Sequence, residues 1–309
     1  MPRPLRFVPT SGGLVEVTTR AIHGRLLLRP TPATNQAILG VLGRAQKMYD
    51  MVVHSVVFLS NHYHLLLAPT DADQLSGFMT FVNSIIAREV GRLVSWKEKF
   101  WGRRYHSMVV SDEKEAQLGR LAYHLSNCVK EGLVEHPFEW PGVHSARALL
   151  EDRKLQGTWF DRTAYRRALR RRKPDQPQVK ESDFKTVEVL ELTPLPCLAG
   201  ENEVKQREQI LSLIAEIVAD AAAERKVRGT MVLGAHRVQQ QHPHTQAREI
   251  KKSPAPRFHA VSKEMKQALR DAYFVFAAAF QGASERLRRG DRAAVFPAGC
   301  FPPALPFCA

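Results

Sequence analysis

The first half of the chain alternates short apolar stretches with longer amphipathic ones. Residues 14–19 (LVEVTT) alternate apolar and polar positions, which is typical of a half-buried strand. Residues 34–49 space their apolar side chains as a helix does, and residues 51–59 (MVVHSVVFL) are rich in the β-branched residues of a buried strand. The same patterns predict a strand at 62–69, a helix from about 71 to 94, a strand at 105–110 and a helix from about 112 to 133. This order favours an α+β fold in which an antiparallel sheet carries helices on one face.

The composition of the sequence changes at about residue 151. Residues 162–173 contain seven basic residues and no acidic one, and the PDQPQ that follows resembles a linker. Amphipathic helices are predicted at 203–226 and 262–288, and the proline- and phenylalanine-rich tail (AVFPAGCFPPALPFCA) is expected to pack against the body. The chain therefore divides into a domain at 1–150, a basic linker at 151–182 and a mostly helical C-terminal region at 183–309, to which no motif gives a role.

Charge narrows the range of partners. The 309 residues include 45 Lys and Arg against 31 Asp and Glu, a net charge of +14 with an isoelectric point near 9.9. This balance favours an anionic partner, most often nucleic acid, with an acidic membrane surface as the alternative. The four cysteines are scattered, and no apolar run approaches the roughly 20 residues of a membrane span. The start of the chain does not resemble a signal peptide, so a cytoplasmic protein without a membrane partner is expected.

A histidine pair stands where one predicted strand begins. In SNHYHLLLAP, His62 and His64 are separated by a single residue. Residues two apart on a strand point to the same face, so the two imidazoles could share one divalent cation. Tyr63 would then point to the packing side and act as a core aromatic. The spacing alone leaves two interpretations open, a metal site or the polar end of an ordinary strand.

A tyrosine and an asparagine on a predicted helix could complete such a site. In LAYHLSNCV, Tyr123 and Asn127 are four residues apart and share one helix face. Asn127 offers a carbonyl oxygen to a hard cation, and Tyr123 offers a hydroxyl beside it. A phenol with a pKa of about 10 is a poor nucleophile unless its phenolate is favoured, and a divalent cation would help mainly by polarising the phosphate under attack. The alternative is a half-buried helical tyrosine without chemistry.

Several segments together carry a resemblance to a known family. They are MPRPLR at the start, SNHYHLLL, FWGRRYHSMVVSD and LAYHLSNCVKEGLVEHPFEWPGVHS. In this order they resemble the HUH single-strand transposases with one tyrosine, most of all the branch associated with repetitive palindromes (REP). The resemblance covers about residues 1–150. Two residues depart from the family pattern: His124 stands in place of isoleucine and Cys128 in place of proline.

The resemblance implies a ferredoxin-like fold and a reaction. Its metal histidines fall on His62 and His64, its catalytic tyrosine on Tyr123 and its third metal ligand on Asn127, with Mg²⁺ or Mn²⁺ as the cofactor. The implied activity is nicking and strand transfer of single-stranded DNA beside hairpins, through a 5′-phosphotyrosine. Two other functions stay open. One is a nucleic-acid-binding regulator that has lost the chemistry, and the other is a metallohydrolase that uses water as its nucleophile. A monomer and a homodimer are both compatible with the sequence.

Other polar residues are weaker candidates. Tyr105 in WGRRYHS is a rival nucleophile, although a packing role is favoured, and the second H-x-H, at His242 and His244, is interpreted as a loop. The predicted DNA contacts are basic residues of the motif segments and of the basic run, each of which could instead be a solvated charge: Arg103, Arg104, Arg120, Arg170, Arg171 and Arg172.

Overall fold

Seven strands form two sheets in a computed structural model that describes residues 5, 7–9, 13–151, 153–246, 256–298, 300 and 302–303. The strands are β1 (Leu14–Arg20), β2 (Val52–Phe58), β3 (His62–Ala68), β4 (His106–Val110), β5 (Leu155–Phe160), β6 (Lys185–Leu190) and β7 (Phe258–His259). The helices are α1 (Pro32–Tyr49), α2 (Ala72–Leu93), α3 (Lys114–Lys130), α4 (Ala146–Leu150), α5 (Arg162–Arg171), α6 (Glu203–Arg228), α7 (Ala235–Gln240) and α8 (Lys263–Arg288). Within this described part of the chain, no helix is both long and apolar enough to cross a bilayer.

The main sheet has the order β2-β3-β1-β4-β7. Its first four strands are antiparallel, and β7 adds to β4 in parallel. Because α1 connects β1 to β2 and α2 connects β3 to β4, these elements make the ferredoxin-like arrangement. The predicted α+β class is therefore confirmed.

Helices cover both faces of this sheet. Val15, Tyr63 and Leu65 point towards a core built with α1 and α2. These two helices are the layer that the prediction of helices on one face describes. Leu14 and Leu66 point the other way and pack against α3 and α6. The second layer forms because β1 and β3 carry apolar side chains on both faces, and α3 lies over the face that also holds the histidine pair.

The region after residue 150 packs tightly on the first domain. β5 and β6 form a two-stranded antiparallel sheet against α1, where a Cβ on Gly40 would lie 2.2 Å from the carbonyl carbon of Thr158. Residues 151–182 thus contain β5 and α5 besides the linker-like residues, and neither β5 nor β6 was predicted from the sequence. On the other side α6 packs against α3 through three buried isoleucines, Ile210, Ile214 and Ile217, with Leu213 partly buried beside them.

Helix termini agree with the sequence to within a few residues. Asp71 caps α2, since its Oδ1 accepts a 2.7 Å hydrogen bond from the Gln74 amide. Ser111, two residues before the N-cap Glu113 of α3, does not cap the helix but donates its hydroxyl to the Glu113 carboxylate, 2.7 Å away. Most of the FPPALPF tail and of the MPRPLR segment lies outside the described residues.

Candidate active site

The two histidines of the H-x-H motif lie side by side on β3. The ring centroids of His62 and His64 are 5.2 Å apart on the face that α3 covers. Tyr63 faces the opposite core, where it is fully buried, stacks on Phe58 and donates a 2.7 Å hydrogen bond to Asn83 Oδ1. The prediction that Tyr63 is a packing residue is confirmed.

Both imidazoles have their Nδ1 atoms engaged by oxygen atoms of neighbouring residues. Nδ1 of His62 lies 2.6 Å from Asn61 Oδ1. Nδ1 of His64 lies 2.8 Å from Glu16 Oε1 and 2.9 Å from Thr18 Oγ1. An oxygen acceptor at Nδ1 fixes the ring and its tautomer, which makes Nε2 the nitrogen available to a ligand. This pattern is the one that metal-binding histidines in proteins usually show.

Helix α3 brings Tyr123 and Asn127 to the same place. The Tyr123 ring centroid lies 5.2 Å from that of His64, and the tyrosine is 36% exposed. Asn127, one turn later, is buried, and its Nδ2 has no hydrogen-bond partner among the described residues. Two of the sequence-predicted residues, His62 and Tyr123, therefore lie beside His64 at one partly open point between β3 and α3, and Asn127 follows Tyr123 by one turn of α3.

A buried glutamate connects the histidine pair to the tyrosine. Besides its contact with His64, Glu16 on β1 forms an ion pair with Arg120 and lies 3.6 Å from Nε2 of His124. The Arg120 guanidinium in turn lies 4.2 Å from the centroid of the Tyr123 ring. Arg120 is thus engaged with Glu16 and Tyr123, a geometry that favours holding the tyrosine over contacting DNA.

The sequence analysis did not single out Glu16, although a signal was present. In LVEVTT the glutamate is in phase with Leu14 and Thr18, on a strand whose other face begins with two valines, Val15 and Val17. A carboxylate on a strand that is buried on both faces needs a partner. His124, noted only as a departure from the family pattern, supplies part of that partnership, and its Nδ1 lies 3.1 Å from Ser55 Oγ.

The electrostatics of the cluster follow from burial and pairing. Burial alone would raise the pKa of Glu16, but hydrogen bonds with His124 and His64 outweigh it and hold that pKa far below its usual range. Burial lowers the pKa of His62 well below its usual value, and His64 and Arg20 lower it further. His62 is therefore neutral at physiological pH, which is the form that binds metals.

The tyrosine is protonated in this environment. Burial raises the pKa of Tyr123, and the Glu16 carboxylate raises it further, while Arg120 acts in the opposite direction. Attack by this phenol therefore requires that its proton be removed as the new bond forms.

The donor types of these residues fit a divalent cation. The imidazole nitrogens of His62 and His64 and an amide oxygen of Asn127 suit Mg²⁺ or Mn²⁺ when oxygen donors from DNA complete the set. A second grouping overlaps the first: the ligand atoms of Glu16, His64 and His124 all lie within 4.8 Å of one another. His64 belongs to both sets.

The weaker candidates lie elsewhere. Tyr105 is 7% exposed and belongs to the core on the α1 and α2 side, which supports its packing role. His244 contacts the Val94 carbonyl at 2.7 Å through Nε2 and packs on Trp96. The remaining predicted DNA contacts are exposed: Arg103 and Arg104 precede β4, and Arg170, Arg171 and Arg172 lie at the end of α5.

Comparisons with known proteins agree with the motifs. Residues 30–120 match the family model described as "Transposase IS200 like", a segment that includes His62 and His64 and ends just before Tyr123. Comparison with curated protein sequences gives no match.

Two solved structures are similar to parts of this chain. A REP-associated tyrosine transposase bound to a REP hairpin is 17% identical over 47% of this chain and 82% of its own, with a TM-score of 0.40. A transposase from Deinococcus radiodurans R1 is 15% identical over 39% of this chain and 95% of its own, with a TM-score of 0.29. At these scores neither likeness carries an argument about the site. Over residues 30–120, the chain is similar to the family of IS200-like transposases.

Proposed function

We propose that the protein nicks single-stranded DNA beside a hairpin and transfers the strand through a 5′-phosphotyrosine on Tyr123. The observation that carries this proposal is the meeting of β3 and α3, where the Tyr123 ring lies 5.2 Å from His64 and His64 lies 5.2 Å from His62. A partly exposed tyrosine hydroxyl beside two oriented imidazoles matches the chemistry that the motifs imply.

The reaction exchanges one phosphoester for another. The Tyr123 oxygen attacks the scissile phosphorus, a bond from phosphorus to the tyrosine oxygen forms, and the bond to the 3′ oxygen breaks. The 5′ end of one fragment is then held on the protein, while the other fragment leaves with a free 3′ hydroxyl that has gained a proton. Attack of a 3′ hydroxyl on the phosphotyrosine reverses these steps and rejoins DNA, so no external energy source is required.

The proposed metal ligands are His62, His64 and Asn127. A bound Mg²⁺ or Mn²⁺ would withdraw charge from the scissile phosphate and so favour attack on it. The neutral state of His62 and the contacts at both Nδ1 atoms keep the imidazoles ready for this role.

Glu16 and Arg120 act as positioning residues in this proposal. Glu16 orients the His64 ring through Nδ1 and holds Arg120 through the ion pair. Arg120 stacks on the Tyr123 ring, which fixes the tyrosine and favours the negative charge that develops on its oxygen. One buried carboxylate thereby ties the metal side of the site to the nucleophile.

Single-stranded DNA with a hairpin is the proposed partner. This rests on the motif resemblance and on the net charge of +14. Arg103 and Arg104 lie within the motif-bearing domain, just before β4, and the exposed arginines at the end of α5 would contact phosphates farther from the cut. The Nε atom of Arg172 lies 3.1 Å from the carbonyl oxygens of both Gln176 and Pro177. Arg170 and Arg171 are therefore the more available of the three for contacts with phosphates.

A nicking assay with matched tyrosine variants tests the proposal. A labelled single strand with a hairpin, taken from the flanks of the gene, is incubated with Mn²⁺ and either the unmodified protein or a variant. Tyr123→Phe should abolish cleavage while leaving binding in place, and Tyr165→Phe, which alters a partly buried tyrosine on α5, should leave cleavage unchanged. EDTA should stop the reaction of the unmodified protein. Binding without any cleavage would instead identify a regulator of the same fold.

A metallohydrolase is the second candidate, because Glu16, His64 and His124 form a compact group of potential ligands. In that case water is the nucleophile and Tyr123 takes no part in the reaction. Metal-dependent cleavage that persists in Tyr123→Phe and yields no protein–DNA adduct would favour this candidate.

A further inference from the structure

A groove with basic and aromatic walls lies between β7 and α8, in the region to which no motif gives a role. Its volume is about 360 Å³. Its lining includes three cations, Arg257, Lys266 and Arg270, and the aromatic rings of Tyr273 and Phe274.

The cations of this groove are available to a ligand. Arg257, Lys266 and Arg270 are exposed, and none has an acidic partner among the residues that the structure describes. The Arg257 guanidinium lies 4.5 Å from the Tyr273 ring centroid, an interaction that orients it without neutralising its charge. Three uncompensated positive charges around one groove favour an anion with more than one charged group.

The groove also presents an exposed ring. Phe274 is 65% exposed, whereas Tyr273 beside it is 8% exposed and packs on Phe258 and Phe276. Tyr273 therefore forms part of the floor of the groove, and Phe274 projects from it as an exposed apolar side chain. A free aromatic ring among unpaired cations is the combination by which proteins bind single-stranded nucleic acid, since bases stack while phosphates pair.

The groove is attached to the helix that carries Tyr123. The Glu113 carboxylate, immediately before α3, accepts hydrogen bonds of 2.8 and 2.9 Å from the amides of Val261 and Ser262 at the start of α8. β7 extends the main sheet beside β4, and the Val109 amide donates a 2.9 Å hydrogen bond to the Arg257 carbonyl. The two elements that form the groove are therefore fixed to the start of α3 and to the edge of the sheet that carries the candidate site.

We propose that the β7–α8 groove is a subsite for the single-stranded DNA that flanks the cut. Lys266 and Arg270 pair with successive phosphates, and Phe274 stacks on a base. The occupant is single-stranded DNA rather than duplex or protein, because a stacking ring requires an unpaired base and the charge requires a polyanion. This subsite rests on the proposed function, since it assigns part of the same substrate to the C-terminal region.

Binding measurements without cleavage test the subsite separately from the chemistry. Full-length Tyr123→Phe protein is titrated with fluorescein-labelled oligothymidine, without metal, over a series of salt concentrations. The test variant adds Lys266→Gln and Arg270→Gln. Its control adds Arg288→Gln and Arg289→Gln, which remove the same charge from the far end of the same helix. Failure of the Tyr123 mechanism would not affect this comparison.

The test variant should bind several-fold more weakly than the control. Its slope of log affinity against log salt should be shallower by about 1.4, since each phosphate contact on a single strand contributes about 0.7. Phe274→Ala should weaken binding by about fivefold or more through lost stacking, while Val275→Ala, which removes an exposed apolar side chain outside the groove, should not. Photocrosslinking to a bromodeoxyuridine strand should label the peptide that contains Phe274.

Three results would overturn the subsite. One is equal weakening in the test and control pairs, which would indicate a general effect of net charge. Another is unchanged affinity and salt slope in the test pair. The third is a change of oligomeric state in the groove variants by analytical ultracentrifugation, which would identify the groove as a contact between two copies of the chain. Thermal melting monitored by circular dichroism should be the same for both pairs, which excludes unfolding as the cause.

Discussion

At the scale of the residue, Glu16 organises the site. It contacts His64, Arg120 and His124 while only 3% exposed. A carboxylate that orients a ligand histidine usually contributes 10- to 100-fold, or about 1.4–2.7 kcal/mol, to metal affinity. The metal affinity of the proposed site therefore depends on Glu16, a side chain that contacts neither the DNA nor, in the proposed ligand set, the metal.

Glu16→Gln should weaken Mn²⁺ binding by about 10- to 100-fold, because the amide keeps the shape of the side chain but loses the charge that polarises His64. Electron paramagnetic resonance of free Mn²⁺ measures this in the absence of DNA. Glu188→Gln is the matched control, because Glu188 is equally buried at 3% but pairs with Lys47, under α1. Equal Mn²⁺ affinity in the two variants would contradict the role given to Glu16.

The sequence predicts the proposed catalytic and metal-binding residues more readily than the residues that would support them. His62, His64, Tyr123 and Asn127 follow from spacing and from the resemblance, because periodicity determines which side chains share a face. The partners of Glu16 could not be derived in this way. They depend on the register between β1 and β3 and on the position of α3 over the sheet, which are tertiary facts that local spacing does not encode.

At the scale of the element, β5 packs against α1 at backbone contact distance. Gly40 and Gly157 face each other there, and a Cβ on either would meet backbone atoms at 2.2–2.4 Å. Most strands and helices before residue 133 could be predicted from pattern. β5 could not, because LQGTWF lacks clear alternation and its glycine has a meaning only opposite α1.

Gly40→Ala should destabilise the protein by about 1–3 kcal/mol or more, because the added methyl group pushes the β5–β6 sheet away from α1. Gly282→Ala in α8 is the control and should have the opposite sign, stabilising by about 0.5–1 kcal/mol, since nothing lies within 4 Å of the added Cβ and alanine favours helix. Urea denaturation measures both. Similar free energies of unfolding for Gly40→Ala and the unmodified protein would contradict the close packing.

At the scale of the whole molecule, the C-terminal region is part of the body. Leu190 belongs to the core on the α1 and α2 side, and Leu195, Leu198 and the buried isoleucines of α6 belong to the core on the α3 side. The composition of the sequence changes near residue 151, but such a change does not determine whether the next segment packs on the preceding domain. The burial of these leucines shows that the segment packs on the rest of the protein.

A chain that ends at residue 150 should fail to fold stably, because it exposes both apolar surfaces that β5, β6 and α6 cover. A chain that ends at residue 246 retains those elements and should fold, while losing the β7–α8 groove. Circular dichroism melting and size-exclusion chromatography distinguish the two. A monodisperse protein of residues 1–150 with a cooperative melt would show that the later elements are dispensable for the fold.

The central claim is that Tyr123 becomes covalently joined to DNA, and peptide mapping of the adduct tests it most directly. The unmodified protein is incubated with Mn²⁺ and a hairpin strand labelled on the 3′ side of the cut, denatured, digested with protease and analysed by mass spectrometry. The account predicts a phosphodiester-linked nucleotide on the α3 peptide at Tyr123, carrying the fragment that lies 3′ of the cut. An adduct on Tyr105 or any other residue, or cleavage with no adduct at all, would contradict it.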